Sequence, residues 1–211
     1  MFFPDSHTHY RTANPYSILN SFSSINIQHS RGIHPWFIQS NYLKQLKILE
    51  EDLAHPKCIA LGEAGLDKLC NTDFDTQLTV FQRQIELSEN YRLPLIIHCV
   101  KASNELFQLK KDLNPTQPWI WHGFNKINIL KQTINNEIIP SFGEAVLQNE
   151  SLRNELENLE SNQFLLETDT SNFSIETIYK CVSWVRNESM ETVQKEQITN
   201  FTRIFTKWQI G

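Results

Sequence analysis

The chain has 211 residues, 40% of them hydrophobic and 20% charged, with a formal net charge of -5. These proportions belong to a globular domain and exclude a disordered segment, and the length suits one domain, residues 1–211, with a sizeable core. The negative balance excludes a protein that coats nucleic acid by bulk charge, so a polyanionic ligand must be drawn by local cations or bound metal.

The first predicted strand covers residues 2–6 and is followed by His7 and His9. On extended backbone, residues two apart point the same way, so both imidazoles can face one ion. A weaker strand falls near residues 17–22, and another at 27–32. Leu43, Leu46, Leu49 and Leu53 then form one helical stripe. The strand at 57–62 leads into Glu63 of GEAGLD, where Gly62 and Gly65 permit a tight bend and close backbone approach. The two oxygens of Glu63 can each take a cation; alternatively the residue caps the following turn. After a helix marked by Leu78, Phe81 and Ile85, the strand at 93–98 ends in His98 and the strand at 118–122 ends in His122. A single strand-end histidine usually reads as core, but two on successive strands suggest ligands. A helix bearing Ile127, Leu130 and Ile134 precedes strands at 137–142 and 163–167.

Asp169 follows the last strand, in LLETDT. A carboxylate there can bind metal and accept the proton of an activated water, or it can cap a helix starting near Asn172. Glu167, two residues earlier, is expected on the same side of the strand, supporting a ligand from behind. Stripes of Ile175, Ile178 and Val182, then Ile198, Phe201, Phe205 and Trp208, predict the closing helices. Apolar strands alternating with amphipathic helices predict an α/β fold, a TIM-type (β/α) barrel with seven or eight strands. In such a barrel the strand ends meet on one face, where His7, His9, Glu63, His98, His122 and Asp169 would converge.

Other chemistries find no support. Cys99 follows His98 directly and so faces the other way, and neither a Gly-x-Ser-x-Gly elbow nor a phosphate-cradling Gly-rich loop occurs. Cys58, Cys70, Cys99 and Cys181 form no Cys-x-x-Cys pair, and the start, MFFPDSHTHY, lacks the charge and apolar pattern of a secretory signal. No apolar run approaches the ~20 residues of a membrane span. A cytoplasmic protein with no membrane and no obligate protein partner is expected.

The motifs DSHTHY, GIHPWF, LGEAGLD, LPLIIHC, WHGF, PSFGEAV and LLETDT, in this order, with ITNFTRIF near the end, resemble the TatD family of metal-dependent deoxyribonucleases, which are amidohydrolase-like TIM barrels. The resemblance runs from about residue 3 to residue 206. It implies two divalent ions, Zn²⁺, Mn²⁺ or Mg²⁺, one held by His7, His9, Glu63 and Asp169, the other by Glu63, His98 and His122. It implies hydrolysis of phosphodiester bonds in DNA, with Asp169 and Glu63 catalytic. Departures are visible. The stretch between His9 and GIHP is short, so at least one helix is missing and the barrel is distorted near strand two. Val100 stands where the family tends to have arginine, Asn125-Lys126 replaces its Ser-Gly, and the loop after LLETD is trimmed. Arg11, Arg31, Lys68, Lys101 and Lys126 fall in loops expected to ring the metal face and to bind substrate phosphates. The alternatives are hydrolysis of a small-molecule ester or amide at the same metal site, or a non-enzymatic scaffold.

Overall fold

A computed structural model describes residues 2–23 and 25–209. Its strands are β1 (Asp5–Thr8), β2 (Ser17–Asn20), β3 (His29–Arg31), β4 (Cys58–Asp67), β5 (Leu95–Val100), β6 (Trp119–Trp121), β7 (Ile138–Phe142) and β8 (Leu165–Leu166). Its helices are α1 (Tyr42–Leu53), α2 (Phe74–Tyr91), α3 (Ser103–Leu113), α4 (Leu130–Asn135), α5 (Ala145–Gln148), α6 (Glu150–Glu157), α7 (Ile175–Val185) and α8 (Met190–Ile204). The chain divides into two compact units, Met1–Leu19 with His122–Gly211, and Asn20–Trp121.

In the unit Asn20–Trp121, β3, β4, β5 and β6 pair in parallel, in chain order. Their apolar runs are buried almost throughout, as strands covered on both faces must be. Helix α1 buries Leu46, Leu49 and Leu53, while Leu43, at its first turn, is exposed and leaves the expected stripe. Helix α2 starts where Asp73 accepts from Thr76 N and stops at Arg92 in the left-handed region. It buries Phe81, which packs on Trp119, and two glutamines that act as clamps. The Gln84 side chain bonds both N and O of Ile33, and Gln77 does the same for Asp67. These bonds replace lost solvation for backbone just past β3 and at the end of β4.

The bend expected at Gly62 and Gly65 is instead a continuous strand with a register shift between Leu61 and Ala64. The close approach is present. Gly65 has φ +150, and a Cβ there would stand 1.9 Å from the His98 carbonyl oxygen. Gly123, at φ +60, has nothing within 4 Å of its virtual Cβ. Gly65→Ala should therefore cost about 3 kcal/mol or more, from backbone strain plus displacement of β5, and Gly123→Ala only about 1 kcal/mol. Urea unfolding midpoints check this; equal losses for the two variants would refute it.

In the other unit the neighbours run β7, β8, β1, β2. The last strand thus lies beside the first, through Asp169 N–H to His7 O at 2.9 Å and His9 N–H to Asp169 O at 3.1 Å. Strand β1 begins three residues later and ends two residues later than its apolar run suggested, because Phe2 is exposed and the ladder bonds begin at Asp5. His7 is therefore inside the strand and His9 just past it. The core packs Phe3 on Tyr179 and Phe142 between Phe124 and Phe164. Serine caps open α7 at Ser174 and α8 at Ser189. Among the described residues, no helix occupies either the β1–β2 or the β2–β3 connection, so the shortening removes two helices. No helix among the described residues is long and apolar enough to cross a membrane.

Candidate metal centre

Within each unit, candidate ligands form a compact group. In the first, a nitrogen from each of His7 and His122 and an oxygen of Asp169 lie within 4.8 Å of one another. His7 Nε2 is 3.6 Å and His9 Nε2 3.4 Å from Asp169 Oδ1, and the His7 and His122 rings are 4.5 Å apart. His7 and His122 are buried, whereas His9 and Asp169 are partly exposed. Asp169 holds φ +52, so its position comes from the turn closing β8 onto β1. It caps no helix, since Ser174 fills that role for α7.

Strand β8 ends at Leu166, so alternation along a strand does not relate Glu167 to Asp169. Both nonetheless line one cavity of about 310 Å³. Glu167 accepts the Gly123 N–H, and its Oε1 lies 3.8 Å from His122 Nδ1. Burial raises its carboxyl to about 8; His122 opposes the rise and Asp169 adds to it. Asp5, buried and raised to about 7 by desolvation against hydrogen bonds from Thr168, ties β1 to the segment carrying Asp169: it accepts from Thr168 N at 2.9 Å and Oγ1 at 2.7 Å.

The second group is His34, Glu63 and His98. Glu63 Oε1 lies 3.0 Å from His98 Nδ1 and 3.2 Å from His34 Nε2. Asn20, the last residue of β2, donates to Glu63 Oε2 at 3.3 Å and accepts from Glu63 N at 3.2 Å. On the other side of the His98 ring, Nε2 lies 3.0 Å from Asp67 Oδ2, which also accepts from Trp36 Nε1 at 2.7 Å. Leu69 N–H occupies Asp67 Oδ1 at 2.8 Å. Burial opposes ionisation of Asp67, but the bonds from Trp36, His98 and Leu69 outweigh it and hold the carboxyl below its usual range. A carboxylate behind a histidine in this way fixes the ring and raises its donor strength toward a cation.

His34, Asp67, Trp36 and Asn20 were not singled out from the sequence. The signal for His34 was available: it ends the segment after β3, as the other histidines end theirs. Its Nδ1 accepts from Trp36 N in the turn that Pro35 opens, which leaves Nε2 for Glu63. Asp67 gave no local signal, because Trp36 and His98, the groups it holds, each lie 31 residues away in sequence.

Imidazole and carboxylate donors in this ratio suit Zn²⁺ or Mn²⁺ and tolerate Mg²⁺, so both groups fit a divalent cation.

A model of the TatD related DNase family matches residues 5–206. The chain belongs to this family. TatD-type proteins among its relatives include the human 3'-5' RNA nuclease TATDN2, 38% identical over 86 residues, a match covering 40% of this chain and 11% of that much longer protein. A metal-dependent hydrolase of Haemophilus influenzae is 24% identical over 86% of this chain and 78% of its own. The crystal structure of YjjV, a TatD homologue from Escherichia coli, superposes with a TM-score of 0.82 at 18% identity, covering 97% of this chain and 98% of that one. The fold is accordingly the TIM-type barrel of TatD proteins, with eight parallel strands. The chain is a TatD-family metal-dependent hydrolase.

Of the loop cations, Arg31 is spent on structure: Nε donates to Asp52 at 2.8 Å and a terminal nitrogen donates to Gly32 O. Lys68 pairs with Glu105 and covers the Phe74 ring. Lys101 and Arg11 are exposed, and Lys126 precedes the turn at Ile127–Ile129. Cys58 and Cys99 are buried, and Cys70 and Cys181 are partly so.

Proposed function

We propose that this protein is a metal-dependent phosphodiesterase acting on nucleic acid, DNA in particular, with His7, His9, Glu63, His98, His122 and Asp169 as ligands of two divalent ions. The supporting observation is the presence, within each unit, of a histidine–carboxylate group compact enough to hold a cation, in a TatD-family chain. The human relative's name, an RNA nuclease, and the family's name, DNase, point to the same bond.

A divalent cation, when bound, acidifies water and offsets charge on a phosphoryl oxygen. Asp169 accepts the proton as the water oxygen attacks phosphorus and the bond to the leaving oxygen breaks; the leaving oxygen then takes a proton from solvent. The two histidines beside its carboxylate hold it in place. Asp67 positions His98, and Glu167 stands behind His122. Lys101, Lys126 and Arg11 bind flanking phosphates.

With Mn²⁺, Mg²⁺ or Zn²⁺ added, purified protein should shorten labelled single-stranded DNA, and EDTA should abolish this. Hydrolysis of simple esters or amides with no cleavage of any phosphodiester would refute the proposal. Replacing Lys101 and Lys126 together by alanine should lower the slope of log K against log salt by roughly 0.7 per lost phosphate contact. A wild-type slope in that variant would reject the phosphate role of these lysines.

A further inference from the structure

The ligand group at His34, Glu63 and His98 borders aromatic surface that no catalytic step uses. Trp36 is 60% exposed, Leu69 64%, and Phe22 and Phe37 are also more than half exposed. Scattered apolar residues on a surface need no explanation, but these are joined. Phe22 meets Phe37 edge-on at 5.8 Å; Phe37 and Trp36 pack against His34 at 5.6 and 5.2 Å; His34 lies 4.3 Å from His98. An aromatic path thus runs from solvent to the ligand residues. The indole of Trp36 is oriented by its 2.7 Å bond to Asp67, although most of the residue is exposed.

Beside Trp36 is a cavity of about 410 Å³, whose walls include Leu69, Asn71, Thr72 and Val100. This volume falls in the range of small-ligand sites. Asp67 also lines it, but both its oxygens are engaged by Trp36, His98 and Leu69. Val100 makes that wall apolar. The slot therefore offers a fixed π-face, aliphatic contact and two polar side chains.

The geometry points to this slot as the binding place of one unpaired nucleobase of a single-stranded nucleic acid, stacked on Trp36 while its phosphodiester meets the metal ligands. The inference rests on the phosphodiesterase function proposed above. Bases stack on aromatic side chains whatever their identity, and stacking needs bases freed from a duplex. A chain of net charge -5 gains little from bulk attraction to a polyanion, so affinity must come from such local contacts.

The test is binding by fluorescence anisotropy in the slowed Asp169→Asn background with Mn²⁺. A labelled oligothymidylate is compared with an oligomer of the same backbone bearing abasic sites. The base-bearing strand should bind about 5- to 150-fold more tightly, the range expected for one stacked base. Adding Trp36→Ala should remove most of this preference, and Trp36→Phe should retain much of it. Leu69→Asp, which puts a charge at an exposed position of the slot, should also remove it and decides the matter if Trp36→Ala fails to fold. Equal binding of the two strands, or a preference that survives both Trp36→Ala and Leu69→Asp, overturns the inference. Hydrolysis of bis(p-nitrophenyl) phosphate by the wild-type protein separates the two failures. With that activity present, a missing preference condemns the slot alone; with no diester cleaved, the phosphodiesterase function itself fails.

Discussion

Asp169→Asn should leave the protein folded and reduce turnover by roughly 10²–10⁴, the usual worth of a general base. The fold should survive because the site is defined by backbone. Asp169 sits at φ +52, a conformation that asparagine adopts as readily as aspartate. Its N–H and C=O, not its side chain, make the bonds to His7 and His9 that close β8 onto β1. The side chain supplies only a carboxylate, 3.6 Å from His7 Nε2 and 3.4 Å from His9 Nε2. Exchanging it for an amide removes the negative charge and the basic oxygen while keeping the shape. Single-turnover cleavage together with a urea midpoint checks both halves of this expectation. Near-normal turnover would remove Asp169 from the mechanism, and a large loss of stability would show that its charge is structural.

Glu63→Gln should strip metal. Glu63 is enclosed by polar groups: His98 Nδ1 and His34 Nε2 lie at one oxygen, and Asn20 Nδ2 donates to the other. An ionised carboxylate is acceptor-only and suits that arrangement, whereas an amide must turn its NH₂ toward one of these groups. Replacing groups that merely orient ligands typically costs 10- to 100-fold in metal affinity, so losing a ligand should cost about 100-fold or more. If Glu63 serves both ions, both should be depleted. Metal analysis after dialysis reads this directly, and two undiminished equivalents per chain would rule out the bridging role.

Much of this was legible in the sequence. Runs such as IALG and LPLII identify buried parallel strands, because a strand covered on both faces must be apolar at successive positions. A polar residue at the end of such a run is conspicuous, and in this way His98, His122, Glu63 and the His7–His9 pair stand out as candidate ligands from local pattern alone. The order of the motifs then indicated the family, which the match over residues 5–206 establishes. The limits of β1 were misplaced because apolar character and ladder pairing are different things: Phe2 is apolar but exposed, and Asp5 is polar but buried and paired.

The tertiary structure decided what each polar group faces. Arg31 and Lys68 looked like loop cations available to phosphate, yet Asp52 and Glu105 occupy them. Asp67 carries no local mark that sets it apart in the sequence, yet it holds His98 and Trp36. Glu167 stands beside His122, 44 positions along the chain from the Gly123 N–H it accepts. Apolar periodicity is a local property, repeated every two or 3.6 residues, and so is written into short stretches of chain. A hydrogen bond or ion pair needs one particular partner at about 3 Å, and that partner can come from anywhere in the sequence, so only the folded chain reveals which groups are spent on structure and which remain for chemistry.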